Sequence, residues 1–156
     1  MSRRKSRILA FQALYSIEVG KISLEDALSF EWREPPDSEK SSTQNRKISK
    51  EGDTFARILV SGTVEHLDEI DTLIKEHLKT WDFERVNKVS LSILRLGIYS
   101  MLYQSDVQPS IIIDEAIHIA KEFGPEDSFK FINAMLDNIR KYLSNKKSEK
   151  LADNEG

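Results

Sequence analysis

The chain has 156 residues, of which 39% are hydrophobic and 31% charged, with a formal net charge of -3. That suits one globular domain, or two small helical lobes sharing a core. No apolar run approaches the ~20 residues that span a bilayer, and the charged N-terminus lacks the apolar stretch of a secretory signal. With no cysteine, disulfide frameworks and thiolate metal sites are excluded, and a reducing, cytoplasmic interior is expected.

The chain opens with Arg3, Arg4, Lys5 and Arg7, while every acidic residue follows Ser16. The first 17 residues carry +4; the remainder, with 19 basic and 26 acidic residues, carries -7. A basic arm thus precedes an acidic body. Cations at a helix N-terminus face the positive end of the macrodipole and cost a few tenths of a kcal/mol each. A bound polyanion reverses that sign, because each neutralised phosphate releases counterions. Arg4, Lys5 and Arg7 can line one rim of a first helix while Ile8, Phe11, Leu14 and Tyr15 share another face, the helix ending near Gly20.

Ser23 followed by Asp26 resembles a capping box and opens a short second helix through Trp32. Residues 33–53, with Pro-Pro, serines and mixed charge, read as a mobile linker between lobes. A long third helix is expected from Phe55, Ile58, Leu59, Gly62, Leu67, Ile70, Ile74 and Leu78, and Gly62 would admit a close helix neighbour. After a turn near Trp81-Asp82, apolar residues from Val86 to Leu102 lie almost all round a helix, which marks it as central. Pro109 fits the first turn of the next helix. That helix buries Ile113, Ala116, Ile117, Ala120 and Phe123 and stops at Gly124. Glu126 and Asp127 then give the last helix an acidic first turn. Its stripe is Phe131, Ile132, Met135, Leu136, Ile139 and Leu143. Residues 146–156 read as a polar, frayed tail. The expected fold is all-α: a compact bundle of six or seven helices in two small lobes, with residues 1–145 as the folded part.

No phosphate-cradling glycine loop is visible in the sequence. "DEAIH" (114–118) lacks a Walker loop to accompany it. Glu115 and His118 make a single E-x-x-H, where a di-iron bundle needs two together with further carboxylates. His66 and His77 lie about 16 Å apart along a helix, too far to share a metal. No catalytic residue, metal site or cofactor is expected.

Three stretches, "RRKSRILAFQALY" (3–15), "ILRLGIYSMLYQSDVQPSIIIDEAIHIAKEFG" (93–124) and "EDSFKFINAMLDNIRK" (126–141), closely resemble the bacterial transcription antitermination factor NusB family. The resemblance implies an all-helical, non-catalytic protein that binds single-stranded boxA RNA together with NusE, a ribosomal small-subunit protein. It would act in the RNA polymerase antitermination complex, notably on ribosomal RNA operons. By the same resemblance Arg3, Arg4, Lys5 and Arg7 are RNA-contacting and Tyr15 is an aromatic contact. Asp127, Lys130 and Phe131 form a second RNA-facing patch. These residue types suit single-stranded RNA, whose bases stack on aromatic or guanidinium planes while cations follow the backbone.

Two positions depart from the family pattern. Ser90-Leu91 stands where an acidic–basic pair is common near the expected NusE surface, leaving Glu84 as the nearest acid. Ala134 replaces a frequent glycine. Expected partner contacts are Glu84 and Ser90. Two other readings stand beside this one. The first is the related N-terminal domain of a ribosomal RNA cytosine methyltransferase. The second is a structural helical module, such as a homodimer, with the arm serving solubility.

Overall fold

The computed structural model describes residues 3–30, 50–78 and 82–155. Seven α-helices and one short 3-10 turn make up the regular structure of these residues, and no strand occurs among them. The chain divides into two compact units, Met1–Leu67 and Asp68–Gly156. No helix of the described residues is long and apolar enough to cross a membrane.

In the first unit, α1 (Arg3–Gly20) packs against α3 (Lys50–Glu65), and α2 (Leu24–Ser29) joins both. The buried face of α1 is built largely from small residues: Ser6, Ala10 and Ala13 accompany Phe11 and Leu14. Small side chains let a neighbouring helix lie close while the two larger ones fill the gap. Ser23 caps α2 as its spacing implies, its Oγ accepting from the Asp26 N–H at 3.0 Å. The helix stops sooner than expected, because Phe30 turns left-handed (φ 56°) and donates its N–H to Ala27. Trp32 and residues 33–49 of the expected linker lie outside the described residues. Residues 50–53 are helical rather than linker, forming the first turn of α3.

The expected third helix is interrupted. His66 is a turn residue, although its N–H still reaches Gly62 O at 3.1 Å, and α4 (Leu67–His77) restarts with Asp68 and Glu69 in its first turn. Acidic residues there suit the positive helix end. Ile58, expected in the core, is 52% exposed; Leu59 is buried as expected, together with Ala56, Val60 and Thr63. Gly62 is buried as expected.

In the second unit, α5 (Lys88–Tyr103) is the central helix, and every residue from Ser90 to Ser100 is buried. It packs against α6 (Pro109–Phe123) and α7 (Ser128–Glu155), which also pack against each other. At Gly97 a Cβ would lie 3.3 Å from both methyls of Leu136, so this glycine sets how closely α5 and α7 approach. Pro109 occupies the first turn of α6. The buried stripe of α6 is Ile112, Ile113, Ala116, Ile119 and Ala120. Phe123, expected inside, is exposed at 37%, and Ile117 is half-buried. On α7 the expected stripe holds: Ile132, Met135, Leu136 and Ile139 are buried, with Phe131 and Leu143 half-buried.

The stretch from Lys146, expected to fray, continues α7 to Glu155. Its lysines, glutamates, leucine and alanine are good helix formers, so chain polarity alone did not end the helix. Glu126 and Asp127 precede α7 rather than forming its first turn.

Candidate nucleic-acid interface

Each unit carries an aromatic ring flanked by two cations. In the first, Phe55 near the start of α3 meets the N-terminal turns of α1. The Arg3 guanidinium carbon lies 3.9 Å from the Phe55 centroid, and that of Arg7 lies 5.7 Å away. Four residues separate the two arginines, placing them on one face of α1. Their planar guanidinium groups suit an aromatic face.

This geometry sorts the arm. Arg3, Arg4 and Lys5 are exposed, whereas Arg7 is only 8% exposed. The expectation that Arg7 lines an RNA-facing rim is therefore corrected. Its aliphatic stem and guanidinium belong to the packing of α1 on α3, as amphipathic side chains allow. Tyr15, two turns further on, is half-buried with its ring 6.4 Å from that of Phe11, tilted by 42°.

The second unit's cluster surrounds the turn between α6 and α7. Asp127 adopts a left-handed backbone (φ 70°), which aspartate tolerates better than most residues. Its carboxylate lies 3.5 Å from Lys130 Nζ, both side chains being exposed. Lys121 Nζ, from the last turn of α6, sits 4.8 Å from the Phe129 centroid, and Lys130 Nζ sits 6.0 Å from it. Phe131 is half-buried. Asp127 and Lys130 thus lie together at the head of α7.

The two expected partner contacts separate. Glu84 is exposed on the 3-10 turn Phe83–Arg85. Ser90, by contrast, is fully buried, and its expected role as a partner contact is corrected. Asn87 caps α5 by accepting the Ser90 N–H at 2.8 Å, and Ser90 opens the buried run Ser90–Ser100 of that helix. The Ser90 hydroxyl has no hydrogen-bond partner among the described residues.

Behind the Glu84 turn stands a bidentate ion pair: Arg95 Nε and Nη2 donate to the two Asp71 carboxylate oxygens at 2.9 and 2.8 Å. Phe83 faces this arginine at 5.9 Å and the Lys75 ammonium at 4.8 Å.

Along α7, the Arg140 guanidinium and then the Lys141 ammonium hold the Asp137 carboxyl below its ordinary pKa. His118 Nε2 lies 3.8 Å from Glu122. Among the described residues no group of three or more His, Asp or Glu side chains could hold a metal ion.

Neither Phe55 nor Phe129 stands out as functional in the sequence. The available signal was the coexistence of surface-type cations with phenylalanines at helix ends. Nothing local says which ring meets which cation.

The described residues define a small all-α protein with exposed cations at the start of α1 and around the α6–α7 turn, set near the rings of Phe55 and Phe129. The model of the NusB family matches residues 4–141, and the chain belongs to that family. It is 46% identical to the transcription antitermination protein NusB of Treponema denticola, covering 90% of this chain and 96% of that one. Among solved structures, T. maritima NusB superposes with a TM-score of 0.75 at 33% identity, over 90% of this chain and 92% of that one. A crystal structure of antitermination factors NusB and NusE in complex with double-stranded RNA matches with a TM-score of 0.71 at 25% identity. It covers 91% of this chain and 99% of that one.

Proposed function

We propose that the chain is a non-catalytic, cytoplasmic adaptor that binds boxA RNA together with NusE and promotes transcription antitermination, notably of ribosomal RNA operons. The observation that carries this reading is the family match, which begins within the basic arm at Arg4 and runs to residue 141. The solved complex of a NusB with NusE and double-stranded RNA supports NusE and RNA as partner classes. Exposed Arg3, Arg4 and Lys5 on α1 and Lys130 on α7 supply phosphate contacts, while the half-buried Tyr15 and Phe131 offer surfaces for bases. Asp127 limits non-specific attraction. Glu84, exposed on the Phe83–Arg85 turn, is the acid offered to NusE.

The antitermination protein of Treponema denticola is covered over 96% of its length, which favours this reading over a methyltransferase domain.

The test is a titration of labelled single-stranded boxA RNA with the protein, alone and with NusE, at low and at moderate ionic strength. Binding that NusE strengthens and salt weakens is expected. An RNA left unbound at low ionic strength by both proteins together would refute the reading.

A further inference from the structure

The turn joining α6 to α7 is tightly built. Gly124 ends α6 by donating its N–H to Ala120 O at 2.8 Å. A Cβ at Gly124 would lie 2.8 Å from that same oxygen and 2.5 Å from Ser128 Oγ, so a side chain cannot be accommodated without movement. Further on, the Ser128 N–H reaches Pro125 O, the Lys130 N–H reaches Asp127 O, and Asp127 takes its left-handed conformation. This compact turn brings the last turn of α6 against the first turn of α7, and Lys121 to the half-buried Phe129 ring.

Lys130 and Lys121 then differ electrostatically. Lys130 faces the Asp127 carboxylate at 3.5 Å, which partly offsets its charge. Lys121 is exposed, and among the described residues no carboxylate pairs with it. Its sequence neighbour Glu122 lies by His118. An aromatic face attracts an ammonium without neutralising it. Lys121 is therefore a held, uncompensated cation beside the patch expected from Asp127, Lys130 and Phe131.

Resting on the RNA-binding reading above, we propose that Lys121 is a further phosphate-contacting residue of the RNA site and that Phe129 is its positioning residue. The ligand is a backbone phosphate of single-stranded RNA. A structural alternative is that Lys121 only complements the negative end of the α6 dipole. That role affects folding stability and leaves the salt dependence of RNA binding unchanged.

The experiment compares wild type, Lys121→Ala, Lys121→Arg and Phe129→Leu, each as the full chain with NusE, by titrating single-stranded boxA RNA across a salt series. Loss of one phosphate contact flattens the slope of log K against log salt by about 0.7. The affinity lost between about 50 and about 200 mM salt then shrinks by roughly 2.6-fold in Lys121→Ala. Lys121→Arg is expected to keep the wild-type slope. Phe129→Leu keeps the slope but weakens binding, because the charge remains while its perch is lost. A wild-type slope in Lys121→Ala overturns the Lys121 assignment, and wild-type affinity in Phe129→Leu overturns the role of the ring. A wild-type protein that binds no RNA removes the function reading itself and this assignment with it.

Discussion

The arm yields the sharpest prediction, because burial separates cations that the sequence groups together. Four arm cations meeting four phosphates of single-stranded RNA would contribute about -2.8 to the slope of log K against log salt, at about -0.7 each. The structure exposes Arg3, Arg4 and Lys5 and buries Arg7 to 8% exposure, so the arm's share becomes about -2.1. Arg4→Ala should flatten the slope by about 0.7. Arg7→Ala should leave the slope unchanged and appear in stability instead. Its guanidinium carbon lies 5.7 Å from the Phe55 centroid, and a largely desolvated cation–aromatic contact with the packed stem is worth roughly 1–2 kcal/mol. For a chain of this size each kcal/mol moves the melting temperature by about 2–4 °C. Fluorescence titrations of RNA over a salt series, beside thermal melts of both variants, read the two effects separately. An Arg7→Ala variant that flattens the slope as much as Arg4→Ala does, with an unchanged melt, would refute the assignment of Arg7 to packing.

Two further substitutions test other parts of the molecule. Asp71→Asn leaves the Arg95 guanidinium, only 8% exposed at its side chain, without its carboxylate. Breaking a buried pair in this way costs about 3 kcal/mol, so the urea midpoint should fall markedly. A loss under about 1 kcal/mol would show that the pair adds little to the stability of the second unit. Asp127→Asn keeps a residue that tolerates the left-handed backbone and frees Lys130 from its carboxylate at 3.5 Å. RNA affinity at low salt should rise by roughly fivefold, the equivalent of about 1 kcal/mol for an exposed charge. Unchanged affinity would place Asp127 away from the phosphates.

The central helix was legible because its apolar residues run all round, and the buried run Ser90–Ser100 follows that pattern. The stripe of α7 was legible for the same reason. Errors arose where small residues form the buried face. On α3, Ala56, Val60 and Thr63 are buried while the larger Ile58 faces out. A phase set by the bulkiest side chain is therefore rotated from the true one. On α6 the stripe runs through Ile112 and Ile119 rather than Ile117 and Phe123, since a rich run of isoleucines fits two phases equally well. Ser90 escaped for a different reason. It is a polar residue at the start of the buried run Ser90–Ser100, so its type carries no sign of burial.

The most consequential difference concerns why cations stand at the start of α1. Dipole repulsion alone suggests that all four await a polyanion. The structure gives Arg3 and Arg7 an intramolecular partner in Phe55, which lies some fifty positions downstream and so leaves no local periodicity to read. Arg7 is thereby explained by packing. Arg3 is different: its exposure, together with a stacked guanidinium, keeps the charge available while restricting where it sits. A cation ordered before binding loses less conformational entropy when a phosphate arrives. The same ordering holds Lys121 on Phe129 in the second unit. On the RNA-binding proposal, the expected effect of the phenylalanine at each site, invisible to a search for charge, is on RNA affinity through the cation it holds.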